Sequence, residues 1–266
     1  VLTKIAYCSD LHLEFGGMDF DLPDADILIL AGDIVTVDAF IPNNLDRYPG
    51  VIDFFLAASK KYEKVIWIPG NHEYYGVWLE DAPILVEKYF ATHAITNIHY
   101  SKQVAFDYND IRIVGATLWT DMNKGDPSVM FDATRCTNDF RYIQSRKETR
   151  KKLTNVQWCD MHDADRQFMI ENSMTNKKLI MVSHHSPFVN FQEDRTFNGA
   201  YYYGCTDMED VVYNANPVAY ISGHTHTSVD KETEIGTRKI RMLNNPRGYK
   251  GHEPIANNFV IKVFEV

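Results

Sequence analysis

Long apolar runs are absent from this chain. Its 266 residues contain no stretch of 18 or more hydrophobic residues, so no membrane-spanning helix is expected. Cysteine is scarce: Cys8, Cys136, Cys159 and Cys205 are the only four, and none is spaced as CxxC. That excludes a zinc ribbon and gives no disulfide framework, so a reduced, cytoplasmic protein is the simplest expectation. The opening residues, Val1-Leu2-Thr3-Lys4, show no signal-peptide pattern. An excess of positive charge is missing too. At a formal net charge of -9, the chain lacks the broad electrostatic footprint that holds long nucleic acid. Neither the nucleophile signature G-x-S-x-G nor the phosphate loop G-x-x-x-x-G-K-[ST] occurs. Internal repeats and low-complexity linkers are also absent, and one domain over residues 1–266 is expected.

What is present is one arrangement repeated. The apolar run 27–31 closes in Gly32-Asp33. Run 5–8 leads into Ser9-Asp10-Leu11-His12, and 65–68 into Pro69-Gly70-Asn71-His72-Glu73. Run 179–182 leads into Ser183-His184-His185-Ser186-Pro187, and 218–221 into Ser222-Gly223-His224-Thr225-His226. Short apolar runs read as strands buried on both faces. In open α/β sheets ligands bind beyond the carboxyl ends of such strands. Six of the ten histidines (His12, His72, His184, His185, His224 and His226) stand at those ends, a sorting not expected of scattered core or surface histidines.

Helical periodicity over 51–62, 77–92 and 154–174 separates the strands of the first half and middle, with Thr154 as N-cap and Pro83 tolerable only in a first turn. Antiparallel-looking strands follow at 102–106, 111–116, 238–243 and 258–265. The pattern predicts an α/β protein with two mixed β-sheets between helical layers. Two insertions are expected: an irregular, then helical one at about 121–152, and a loop at about 186–205. Phe197 and Tyr201-Tyr202-Tyr203 of the loop could stack a nucleobase.

Asp10, His12, Asp33, Asn71, His184, His224 and His226 form a candidate ligand set. Imidazole and carboxylate without thiolate suit Mn, Fe, Zn, Co or Ni. Seven ligands exceed one tetrahedral ion and suit two ions sharing a carboxylate. Asp10 and His12, like His224 and His226, are two apart, so on an extended segment both members of a pair point the same way. Two ions roughly 3.5–4 Å apart supply a hydroxide and clamp the oxygens of an in-line displacement, which is phosphoryl chemistry without a nucleophilic side chain. His72, beside a ligand, is open to an acid role.

Asp10-x-His12, Gly32-Asp33, Gly70-Asn71-His72-Glu73, His184-His185 and Gly223-His224-Thr225-His226 together resemble the calcineurin-like metallophosphoesterases, in order and in kind. The resemblance implies a four-layer α-β-β-α sandwich and a dinuclear centre, with manganese the first choice of metal. It implies that Asp10, His12 and His226 hold one ion, that Asn71, His184 and His224 hold the other, and that Asp33 bridges. His72 then protonates the leaving oxygen or steadies the transition state. Between His184 and His185, the former directly follows its strand and is the expected ligand, leaving His185 to orient it or to face substrate. The Asp-Arg-Gly that follows Gly-Asp in protein Ser/Thr phosphatases and diadenosine tetraphosphate hydrolases is replaced here by Ile34-Val35-Thr36, so those substrates are not expected.

The expected function is hydrolysis of a small phosphate mono- or diester, nucleotides included, by attack of a metal-bridging hydroxide. The alternatives are a nuclease on single-stranded nucleic acid and a non-catalytic metal-binding scaffold of the same fold. Residues 141–152 carry Arg141, Arg146, Lys147, Arg150, Lys151 and Lys152 against Glu148, either a lid for an anionic substrate or a solvated helix face. Arg141 is the first choice for a phosphate contact, since a guanidinium binds phosphate bidentately, and Arg247 in the turn Asn245-Pro246-Arg247-Gly248-Tyr249 is the second.

Overall fold

A computed structural model describes residues 2–42, 44, 47–188 and 206–266. Among them, two large sheets and a small hairpin form. Lys4–Cys8 (β1), Ile27–Ala31 (β2), Lys64–Ile68 (β3) and Ile98–Tyr100 (β4) run parallel. Gln103–Tyr108 (β5) and Ile111–Ala116 (β6) are an antiparallel pair. Gln144–Arg146 (β7) and Lys151–Lys152 (β8) make the separate hairpin. Lys178–Ser183 (β9), Ala219–Ser222 (β10), Val229–Ile235 (β11), Arg238–Asn244 (β12) and Lys262–Glu265 (β13) complete the set. The first sheet is ordered β13-β1-β2-β3-β4 and the second β11-β12-β10-β9-β6-β5. Both are mixed, because β13, β11 and β5 pair antiparallel to their neighbours.

Strand periodicity makes the layers. In β2, Ile27, Ile29 and Ala31 turn inward to a cluster with Ile66 and Ile68 of β3 and with Ile113, Ile180, Val182, Ile221 and Leu243 of the second sheet. Leu28 and Leu30 turn outward, to a cluster holding Phe54 and Phe55 of Val51–Lys61 (α1) and Phe90 of Asp81–Thr92 (α2). Beyond the second sheet, Val114, Leu179, Met181 and Met242 pack against Met169 of Asn155–Asn172 and Val211 and Val212 of Glu209–Ala215. Each large aliphatic side chain buried this way is worth about 1.5–3 kcal/mol. The result is the expected helix–sheet–sheet–helix stack. In chain order the longer helices that follow among the described residues are Pro127–Cys136 (α3), Asn155–Asn172 (α4) and Glu209–Ala215 (α5), with short turns at Met122–Gly125 and Asp139–Tyr142. Thr154 caps α4 in a reciprocal box with Gln157. None of the described helices is long and apolar enough to cross a membrane.

Several elements differ from the sequence reading, and β13 starts at Lys262 where the pattern predicts 258. Helix α2 begins at Asp81, which puts Pro83 in its first turn, where a missing N–H is harmless. Residues 141–152 are not a helix: one helical turn, Asp139–Tyr142, leads into the β7–β8 hairpin. Strand β11 was not expected at all. It is an edge strand of sequence VDKETEI whose one buried residue is Ile235, so it carries charge instead of an apolar stripe. Of the loop expected at 186–205, residues 189–205, with Phe197 and Tyr201 to Tyr203, lie outside the described residues.

The two sheets meet at one rim. Ser9 and Pro246 form a parallel bridge between the segments that follow β1 and β12. The Thr117 hydroxyl donates to the Pro69 carbonyl at 2.8 Å, and the Gly223 amide donates to the His184 carbonyl at 2.9 Å. The carboxyl ends of β1, β2, β3, β9 and β10 are thereby drawn together.

Candidate metal centre

The rim is built on strained backbone. Asp10, His12, Asp33, His224 and His226 all have φ between 43° and 67°, the left-handed region that non-glycine residues avoid at roughly 1–2 kcal/mol each. The paired ligands are therefore not on extended segments, as their spacing suggested. Each is turned into the opening by its own backbone. Hydrogen bonds hold that backbone: Asp10 N–H to the Gly32 carbonyl at 2.9 Å and His12 N–H to the Asp33 carbonyl at 3.0 Å. The Asp10 carboxylate accepts from the His224 amide at 3.0 Å, and Asp33 Oδ1 accepts from the His72 amide at 2.8 Å. Strain concentrated this way marks functional sites.

Glu73 ties the β2 and β3 ends together. Its buried carboxylate accepts the amides of Asp33 (2.9 Å), Ile34 (2.7 Å) and Gly70 (2.7 Å) and the indole N–H of Trp67 (3.2 Å). Burial and the nearby Asp33 push this carboxyl up to about 7, while four donors saturate both oxygens. Glu73→Gln keeps the shape but turns an NH2 toward two of those donors. Lost charge-assisted bonds are worth about 1.5–3 kcal/mol each, so we expect a loss of about 3 kcal/mol and a Tm lower by about 6–12 °C. An unchanged melting curve would remove Glu73 from this role.

The functional atoms converge in three overlapping groups around one carboxylate, one of them made of His12, Asp33 and His72. Asp10, His12 and His226 offer atoms within 4.8 Å of one another, and so do Asp33, His184 and His224. Nε2 of His12 and Nε2 of His226 are 3.3 Å apart. In the group of Asp33, His184 and His224, His184 Nε2 lies 3.2 Å from His224 Nδ1, 3.0 Å from Asn71 Oδ1 and 3.4 Å from Asp33 Oδ2. The same Asp33 Oδ2 is 3.9 Å from His12 Nε2, so one oxygen faces both groups.

Outer partners fix which atoms point inward. His12 Nδ1 is 3.2 Å from Glu14 Oε1, and His226 Nδ1 is 2.6 Å from Glu253 Oε2. His184 Nδ1 is 3.0 Å from the Ala31 carbonyl. Each acceptor calls for N–H on the outer nitrogen, which leaves a lone pair on the inner one. The Asn71 amide NH2 donates to Asp139 Oδ1 at 2.7 Å, so its carbonyl oxygen faces in. Lone pairs 3.0–3.4 Å apart repel unless a positive charge lies between them. A proton serves one acceptor, whereas a metal ion takes four or more, and ligands at about 2.0–2.1 Å from a common ion stand about 3.0–3.4 Å from each other. The residues present therefore fit two divalent cations.

The carboxylates draw positive charge to this centre. Asp10 and Asp33 are buried, which opposes ionisation, yet His226 and His184 hold Asp10 below its usual value, and His184 and His72 hold Asp33 well below. Against burial, Asp33 lifts His184 to about 10, and Asp10 lifts His226 to about 9. Burial and His184 push His224 down to about 3, the neutral ligating form. Close packing leaves no slack: a Cβ on Gly70 would fall 2.3 Å from Asp33 Oδ1 and 2.6 Å from His184 Nε2.

His72 stands at the lip of the site. Its Nε2 is 3.3 Å from the Tyr249 hydroxyl, its Nδ1 is 3.7 Å from Glu14 Oε1, and its ring stacks on Tyr75 at 4.3 Å. Two expected substrate contacts lie elsewhere. Arg247 is fully buried, donating to the Leu11 carbonyl at 2.9 Å and to Asp19 at 2.6 Å. It braces the β1 and β12 loops and cannot meet a phosphate. His185 is also fully buried, with Nδ1 3.3 Å from the Thr117 carbonyl and its ring against His184, His224 and Trp119. It backs the ligand histidines and does not face substrate. Arg141 is exposed, two residues after the Asp139 that holds Asn71. Glu14, Asp139, Tyr249 and Glu253 were missed in the sequence. The motifs point to candidate ligands; of the groups that orient them only Glu14, two residues from His12, is local.

Comparison with known proteins places the fold. The chain is 26% identical over 288 residues to uncharacterized protein L509 of Acanthamoeba polyphaga mimivirus, covering 96% of this chain and 93% of that protein. Among solved structures it resembles a phosphopantetheinyl hydrolase of Mycobacterium tuberculosis at a TM-score of 0.62, with 16% identity and 94% and 93% of the two chains covered. It also resembles a dimetal phosphatase from Danio rerio at a TM-score of 0.53, with 11% identity and 98% and 91% covered. The family model of the calcineurin-like phosphoesterases matches residues 3–228, the span that holds all seven candidate ligands, and the chain belongs to that family.

Proposed function

We propose that the protein hydrolyses a small phosphate mono- or diester with two divalent cations, manganese first among the metals that suit these ligands. The observation that carries this reading is the inward convergence of lone pairs from four histidines and Asn71 around a shared Asp33 oxygen. Bound cations would supply Lewis acidity and a water of lowered pKa. The chain's own residues do the rest. Asp10, His12 and His226 hold one charge, and Asn71, His184 and His224 the other, with Asp33 common to both. Asp139 keeps the Asn71 oxygen inward, and Glu14 and Glu253 keep the imidazole nitrogens inward. His72, at the lip, carries the proton for the leaving oxygen. Arg141 receives the phosphate. The free thiols of Cys8, Cys136 and Cys159 support a reducing, cytoplasmic setting.

Purified protein with Mn²⁺ and nitrophenyl mono- and diesters tests the reading. Turnover of either ester is expected, and Arg141→Ala is expected to raise KM for it. No turnover across Mn²⁺, Fe²⁺, Zn²⁺, Co²⁺ and Ni²⁺ and across pH would leave a metal-binding scaffold in its place.

A further inference from the structure

His72 stands inside a row of rings for which phosphate chemistry has no use. On one side Tyr75 stacks on it at 4.3 Å and 26°, and Tyr142 continues the row 5.4 Å beyond Tyr75. On the other side the Tyr249 ring is 6.0 Å away, and Phe15 meets Tyr249 edge-on at 5.3 Å. Packing accounts for the inner members. Tyr249 also touches the ring of His12 at 4.3 Å. Packing does not account for the ends, because Tyr142 is 51% and Phe15 44% exposed. Both ends are anchored to ligands. Phe15 follows His12 by three residues, and its amide donates to the His12 carbonyl at 2.9 Å. Tyr142 closes the helical turn whose Asp139 holds Asn71. Two half-open rings fixed on either side of the proton carrier present flat apolar surface to whatever departs from the phosphate.

We infer that this row is the subsite for a planar aromatic group on the substrate's leaving side, so that the preferred esters are aryl or nucleoside phosphates and not alkyl ones. The inference rests on the proposed role of His72, which sets the leaving oxygen beside these rings. A base stacked on an aromatic side chain gains about 5–100-fold in affinity.

Calorimetric titration of the Mn²⁺-loaded protein reads this without turnover. Phenylphosphonate should bind about 5–100-fold more tightly than methylphosphonate, and Phe15→Ala and Tyr142→Ala should bring the two affinities together. A nucleoside phosphonate binding more tightly than phenylphosphonate would assign the row to a nucleobase. Equal or weaker binding would assign it to a simple aryl group. Equal affinity for phenyl and methyl phosphonates in the unaltered protein would overturn the inference, as would a preference that survives in both variants. Ester hydrolysis is scored separately: a phenyl preference without turnover keeps the subsite and sinks the reaction, and turnover without the preference does the reverse.

Discussion

Asp33→Asn is expected to abolish turnover, by at least about 10³-fold, and to leave at most one metal ion per chain. The two oxygens of Asp33 are already divided between tasks. Oδ1 accepts the His72 amide at 2.8 Å, while Oδ2 faces His184 Nε2 at 3.4 Å and His12 Nε2 at 3.9 Å. An asparagine is the same size and keeps one oxygen. If that oxygen stays with the His72 amide, the NH2 points at both metal positions, where donors are of no use. If the amide flips, the His72 N–H faces an NH2 and the β3 loop loses its tie. Either way the one negative charge common to both groups is gone, and two dications held side by side repel. Metal-ion charge stabilisation is worth several kcal/mol, and about 4 kcal/mol is a factor of about 10³ in rate. Metal analysis beside the kinetics checks the cause. Two ions still bound at the original affinity would mean that Asp33 is not the shared ligand, whatever the activity.

The places of the candidate ligands could be read from the chain because each follows a strand whose apolar run is unmistakable. Strand β2 is five buried residues in a row and then Gly32-Asp33, so the carboxylate's place at a strand end is a local property. The conformation of those ligands could not be read. Asp10 and His12 look like neighbours on an extended segment, but contacts from distant parts of the chain force both into the left-handed region, Gly248 N–H to the Asp10 carbonyl at 2.9 Å among them. Two of the orienting groups are remote for the same reason, although Glu14 is only two residues from His12. Glu253 is 27 residues from His226, and Asp139 is 68 from Asn71. Arg247 shows the error in the other direction. In sequence it is a cation in a polar turn near a site, but in the fold its guanidinium lies over the Phe20 ring and pairs with Asp19, 228 residues away. Charge in a turn predicts exposure only while the loops beside it leave the turn open, and here the β1 loop closes over it.

His72→Ala is the second large effect, and it should separate from the first by leaving the metals in place. The tie between this residue and Asp33 runs through the main-chain amide, which an alanine retains. The ring lies close to the His12 and Asp33 ligand atoms, but its nitrogens pair with Tyr249 and Glu14. Removing it therefore removes a proton carrier and a stacking surface for Tyr75, but no member of the two proposed ligand triads. General acid catalysis contributes about 10²–10⁴-fold, so kcat on an alkyl phosphate should fall by that factor at unchanged metal content. The size of the fall should depend on the leaving group. Nitrophenolate departs as the anion and needs little protonation, so its ester should lose far less than an alkyl ester, whose oxygen must be protonated as it leaves. A loss of equal size on both esters would take the proton away from His72 and leave it as part of the aromatic wall alone.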